Sequence, residues 1–147
     1  YVRSFGPGFI FSSSMPPMVA AAALASVRVL RQQPDIRARH QERAATAKRR
    51  LAEQGIPVLP SESHIVPVMV GNAALCKAAS DLLLTKYNIY VQPINYPTVP
   101  VGTERLRITP TPLHTDEMMD HLVKSMVAVW DVLELHKEHP AKVAAAE

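Results

Sequence analysis

Apolar positions along the chain follow two periods, and the switch between them orders the expected elements. Residues 1–14 read as loop and turn: Gly6-Pro7-Gly8, an apolar burst Phe9-Ile10-Phe11, then three serines. Met15-Pro16-Pro17 opens a helix through Val19–Gln33, because proline is tolerated in a first turn and a preceding serine hydroxyl can satisfy free amides. Pro34 interrupts that helix, with Asp35 available as a new cap. Beyond the break Ile36, His40, Ala44, Ala47 and Leu51 recur every three or four residues, a narrow apolar stripe with Arg and Lys on the other faces. Gly55 ends the stripe in the usual C′ manner.

The period then shortens. Pro57–Leu59 and His64–Val70 read as strands, the second placed at a sheet edge by Pro67. Asn72 caps a helix to about Lys86, with Leu75, Ala79, Leu82 and Leu83 inward. Ile89–Ile94 is a further strand, residues 95–102 a proline-bearing loop. Arg105–Thr109 alternates Arg105, Arg107 and Thr109 on one face with Leu106 and Ile108 on the other. Thr115 caps a last helix whose inner face carries Met119, Val123, Met126, Trp130 and Leu133. The order β-β-α-β-β-α lacks strict βαβ alternation and predicts an α+β fold: a small, partly antiparallel sheet covered by helices, preceded by a long interrupted helix.

At 147 residues the chain suits one domain and part of another, and 48% hydrophobic residues support a packed core. Five glycines beside thirteen prolines argue against a glycine-loop nucleotide binder. A lone cysteine, Cys76, excludes a disulfide framework or a Cys-based zinc cluster and suits a reducing compartment. The apolar run Val19–Ala25 is far short of the roughly 20 residues of a membrane span. The chain opens in mid-pattern, with no initiator Met or signal peptide, and reads as a piece of something longer. Net charge is +3, and half of the basic residues fall between Arg28 and Arg50. No aromatic residue interleaves them, so a solvated helix face is expected there and a nucleic-acid partner is not.

The six histidines form no HExxH pattern, so no metal site is expected. Ser12–Ser14 lack the GxSxG elbow of a hydrolase. Two constellations remain. Consecutive hydroxyls ahead of a long helix suit either phosphate binding or plain N-capping. Arg105 and Arg107, sharing a strand face, suit either carboxylate recognition or exposure on an outer sheet face.

Three segments resemble the 5-aminolevulinate synthase family. Residues 8–17, Gly-Phe-Ile-Phe-Ser-Ser-Ser-Met-Pro-Pro, look like the segment after that family's cofactor lysine. Ser-His-Ile-Val-Pro-Val (63–68) resembles its small-domain strand. Residues 90–100, Tyr-Val-Gln-Pro-Ile-Asn-Tyr-Pro-Thr-Val-Pro, with Gly102–Arg107 and Pro110-Thr111-Pro112, carry the resemblance furthest. These segments lie in the family's order along nearly the whole chain.

The resemblance implies an α-oxoamine synthase of the fold-type-I pyridoxal-phosphate (PLP) class, condensing glycine with succinyl-CoA to 5-aminolevulinate, CoA and CO2 in haem and tetrapyrrole biosynthesis. It implies that Ser12 and Ser13 bind the cofactor phosphate of the neighbouring subunit of a homodimer with shared active sites. It further implies that Arg107 grips the amino-acid carboxylate and Thr98 contacts the succinyl carboxylate. Residues 1–17 would end the large PLP-binding domain, 18–55 form a connecting helix broken at Pro34, 56–139 a C-terminal small α+β domain, and 140–147 a loose tail. No lysine matches the family's cofactor-lysine motif, which would lie upstream of Tyr1, so this stretch alone is expected to be inactive. Val101 departs from a usually basic position, which puts any contact made by that charge in doubt. Sister enzymes, 8-amino-7-oxononanoate synthase and 2-amino-3-ketobutyrate CoA ligase, are the alternatives, with a non-catalytic basic binding module behind them. Neither membrane association nor a location outside the cytoplasm is expected.

Overall fold

The computed structural model describes residues 1–6, 8 and 15–137. Ser12, Ser13 and the expected tail 140–147 lie outside the described residues. The chain divides into two compact units, Tyr1–Arg37 and Ala38–Glu147.

Among its described residues the first unit holds Val2–Phe5, Pro17–Gln32 and the first turn of the helix from Pro34. Where a loop is expected, Val2–Phe5 makes a single helical turn, α1, closed by Ser4 N and Phe5 N donating to Tyr1 O and by the Tyr1–Phe5 ring stack at 4.9 Å. Helix α2 spans Pro17–Gln32, and its N-cap is Pro16, not a serine. A proline side chain has nothing to donate or accept, so hydroxyl capping is replaced by a rigid entry with Pro17 at N1. Every α2 residue is exposed, including Met18, Leu24 and Val27.

Helix α3, Pro34–Glu53, begins at the expected break, but Asp35 lies inside its first turn and does not cap it. Proline at N1 places Asp35 two positions past the cap, where its charge still favours the positive helix end. The stripe holds: Ala44, Ala47 and Leu51 are buried, and Gly55 takes φ +74° after the last turn.

The sheet is smaller than the apolar pattern predicts. Strands β1 (Val66–Met69), β2 (Gln92–Ile94) and β3 (Arg105–Ile108) form an antiparallel sheet in the order β1-β3-β2. Residues 57–59 contribute a single bridge, Val58 to Val68, instead of a strand. Prolines 57 and 60 bracket that segment and have no N–H to extend the ladder. Pro67 stands on edge strand β1, as its missing donor requires. Helices α4 (Ala73–Tyr87) and α5 (Asp116–Val132) start at the expected caps: Asn72 accepts from Leu75 N at 3.0 Å and Thr115 from Met118 N at 3.3 Å.

One core joins these elements. Val66, Val68, Leu106 and Ile108 on the inner sheet face pack with Ala47 and Leu51 of α3, Cys76, Ala79 and Leu83 of α4, and Met119, Met126, Val129 and Trp130 of α5. Leu75 and Leu82, expected inward on α4, are half-buried; Cys76 and Ser80 take the deeper positions. The fold is α+β.

Candidate functional site

The two faces of the sheet differ in burial among the described residues. Strand alternation buries Leu106 and Ile108 and sends Arg105 and Arg107 the other way, with Arg107 exposed. The ladder sets Arg107 opposite Pro67 on β1 and Gln92 on β2. Pro67 brings no side-chain polar group. The Gln92 carboxamide is already engaged, its Nε2 donating to Pro93 O and its Oε1 accepting from Tyr90 Oη. The Arg107 guanidinium therefore has no hydrogen bond or ion pair among the described residues.

Arg105 differs. It faces Met69 and Ile94, is half-buried, and its Nε donates to Thr103 O at 2.9 Å. Spacing makes the two arginines equal candidates, whereas the structure ties one to a neighbouring loop and leaves the other's planar donor fork unsatisfied. A free guanidinium on a rigid strand suits bidentate recognition of a carboxylate.

Thr98 is exposed in the loop between β2 and β3, which contains a cis Tyr96–Pro97 peptide. Its amide donates to Asn95 O at 2.9 Å, and further along Thr103 N and Oγ1 both reach Pro100 O. No hydrogen bond joins Thr98 to Arg107 among the described residues; they share the β2–β3 hairpin, not a contact. Val101 is exposed in the same loop at 77%.

The hairpin also holds two residues that sequence reasoning passed over. Glu104 is 2% exposed and accepts from Gly102 N at 2.9 Å; Asn95 has a buried Oδ1 with no partner. The period-2 pattern that sends Arg105 outward sends Glu104 inward, so alternation carried the signal. Burial, reinforced by the Glu104 charge, pushes the Cys76 thiol up, which disfavours its thiolate. His40 and His64, far apart in sequence, meet at a tilt with ring centres 4.6 Å apart, and His40 Nε2 donates to Pro110 O at 3.0 Å.

The basic stretch is not uniformly solvated. The Arg43 and Arg50 side chains are 12% and 23% exposed. Arg50 reaches Asp116 at 2.7 Å and Asp120 at 2.6 Å, and Arg43 reaches Asp116 at 3.2 Å. The carboxylates at the start of α5 consume these charges. Hydrogen bonds from Arg43 and Thr46 hold the Glu42 carboxyl down to about 2, while Glu42 raises Arg43.

None of the described lysines lies on a sheet strand. Lys48 donates to Ser61 O and Ser63 O, Lys77 pairs with Asp81, Lys137 pairs with Asp131, and Lys86 and Lys124 lie on helices. Two grooves, of about 750 and 480 Å³, are lined without Arg107 or Thr98. Among the described residues no helix is long and apolar enough to cross a membrane.

The aminotransferase class I and II family profile matches residues 1–126. The chain belongs to that family. Within the aminotransferase class I and II family it is 54% identical over 136 residues to 5-aminolevulinate synthase 1 of Cereibacter sphaeroides, covering 92% of this chain and 33% of the relative. It is 52% identical over 135 residues to the mitochondrial 5-aminolevulinate synthase of Kluyveromyces lactis, covering 92% of this chain and 24% of that one. A serine palmitoyltransferase from S. paucimobilis, solved with a bound PLP–myriocin aldimine, superposes with a TM-score of 0.81 at 26% identity, covering 90% of this chain and 34% of that chain. The chain thus spans about a third or less of the length of these relatives.

Proposed function

We propose that these residues are part of a 5-aminolevulinate synthase, a PLP-dependent acyltransferase joining glycine and succinyl-CoA with release of CoA and CO2. The observation that carries the reading is Arg107: a guanidinium with no partner among the described residues, fixed on a strand face and flanked by a proline and an engaged amide. Identity of 54% with a synthase of that name, against 26% with a serine palmitoyltransferase, favours this acyl group over that of a palmitoyltransferase.

In this reading Arg107 binds and orients the glycine carboxylate, and Thr98 offers its hydroxyl to the free carboxylate of the succinyl group. Ser12 and Ser13 hold the cofactor phosphate across the subunit boundary of a homodimer. PLP, when bound, supplies an electron sink for negative charge at the amino-acid α-carbon. The described residues suit the substrate side of such a site, and the cofactor's lysine comes from outside these 147 residues. The division into the end of a large domain (1–17), a connecting helix (18–55) and a small domain (56–139) belongs to the same reading. So does cover for α2, whose Met18, Val19, Leu24, Val27, Val29 and Leu30 are 44–76% exposed and call for an apolar partner surface. We place the enzyme in the cytoplasm, although the same residues serve equally in a mitochondrial compartment.

The test is Arg107→Lys in the PLP-loaded enzyme, titrated with glycine alone and followed by cofactor absorbance. Lysine keeps the charge and loses the planar fork, so glycine binding weakens sharply. Unchanged binding, or a larger loss for Arg105→Lys, overturns the assignment. Ser13→Ala is the companion, expected to weaken PLP retention by roughly 1.5–3 kcal/mol with the fold intact.

A further inference from the structure

Glu104 is the one buried carboxylate among the described residues, and its side-chain bond is local to the hairpin. Its Oε2 accepts from Gly102 N at 2.9 Å, and its main-chain carbonyl accepts from Val70 N and Gly71 N, each at 2.9 Å. Gly71 and Gly102 both take positive φ, +76° and +85°, and a Cβ on Gly71 would meet the Gly102 carbonyl at 3.4 Å. Three segments therefore close on one residue: the end of β1, the last turn of the β2–β3 loop, and the start of β3.

The loop's entry is held from the same side. The ladder pairs Ile94 with Arg105, so one step further Asn95 comes opposite Glu104, on the sheet face of Pro93 and Leu106. Asn95 Nδ2 donates to Ala73 O at 3.3 Å, its backbone carbonyl accepts from Thr98 N at 2.9 Å, and its Oδ1 is buried without a donor. A buried, unsatisfied carboxamide oxygen and a buried carboxylate are costly to retain for packing alone. Both grip the two ends of one exposed loop, and that loop carries Thr98.

We propose that Glu104, with Asn95, is a positioning residue that fixes loop 95–103, and through Thr98 sets affinity for the acyl donor independently of the amino-acid site at Arg107. This rests on the synthase reading above. Independence follows from placement: Arg107 is held by strand pairing on both sides, on the opposite face from Glu104, whereas Thr98 depends on the loop's ends.

The experiment uses the PLP-loaded enzyme. Glu104→Ala should raise KM for succinyl-CoA about tenfold and leave glycine binding, measured without acyl donor, within about twofold. Glu104→Gln keeps an oxygen for Gly102 N and should restore most of the loss. In a Thr98→Val background Glu104→Ala should add little, because the loop acts through that hydroxyl. Asn95→Ala should repeat the acyl-selective effect, and it carries the test if Glu104→Ala does not fold. Hydrogen exchange gives a readout free of the synthase reading: Glu104→Ala should speed exchange at the Thr98 and Gly102 amides and spare the β1–β3 ladder. A wild-type enzyme that does not turn over succinyl-CoA defeats the synthase reading, and loop exchange then decides the proposal's structural half. Equal losses for glycine and succinyl-CoA, an unchanged acyl KM in folded Glu104→Ala, or unchanged loop exchange overturns the proposal.

Discussion

Two regions of this molecule expose arginines to carboxylates, and they do so in opposite ways. Where α3 meets α5, Arg43 and Arg50 are matched by Asp116 and Asp120, carboxylates of the chain itself placed where the α5 dipole favours negative charge. On the outer sheet face Arg107 has the same donor fork and no matching acid among the described residues. The first arrangement neutralises its charges and anchors one helix to another. The second leaves a binding capacity unspent. A cluster of arginines in the sequence therefore says less about ligands than one arginine whose surroundings withhold a partner.

The comparison is most sharply tested at Arg107. Arg107→Ala should weaken glycine binding in the PLP-loaded enzyme by roughly 2–5 kcal/mol, because the substrate carboxylate loses charge and hydrogen bonds together. Folding stability, measured by denaturant titration, should stay within about 0.5 kcal/mol, since no hydrogen bond or ion pair among the described residues is lost. Next comes the packing beneath the ion pairs. Leu51, fully buried on α3, should cost about 3 kcal/mol of stability as Leu51→Ala, several times the cost of any charge above it. Asp116→Ala should cost about 1 kcal/mol and less at high salt, because the carboxylate is 58% exposed. Glycine binding should not change. If Asp116→Ala exceeds Leu51→Ala, the junction is held by charge and the contrast fails.

Two smaller effects refine it. Arg105→Lys loses the bond to Thr103 O, so glycine affinity should move by no more than about twofold, roughly 0.4 kcal/mol, in the cofactor titration. Glu42 gives a pH signature. Its folded value of about 2 lies below the ordinary 4.5, so the unfolded chain binds more protons between them. The stabilisation is present above about pH 4.5 and is lost as pH falls towards 2. Glu42→Gln should flatten that acid limb in unfolding midpoints recorded from pH 5 to 2, and an unchanged limb removes the Glu42–Arg43 pair from the account.

Much of this architecture is legible along the chain, for local reasons. The α3 stripe, the caps at Asn72 and Thr115, the Pro34 break and the alternation of β3 follow from periodicity and from which side chains can satisfy a helix end. The family resemblance was legible too, because its motifs are contiguous. Strand lengths were not: prolines 57 and 60 remove donors, but whether a neighbour needs those donors is a matter of tertiary pairing. Capping by Asp35 failed for a local reason, since proline occupies N1 and the helix starts two residues early. The roles of the two arginines lay beyond sequence entirely. Residues 105 and 107 are chemically identical and equally spaced. What separates them is a Thr103 carbonyl folded back within reach of one, and a proline and an engaged carboxamide beside the other. Sequence determined which face each side chain takes, because the strand period is a property of the backbone. Tertiary structure decided which charges find partners, because a hydrogen bond needs two groups within about 3 Å, and chain spacing does not encode that distance.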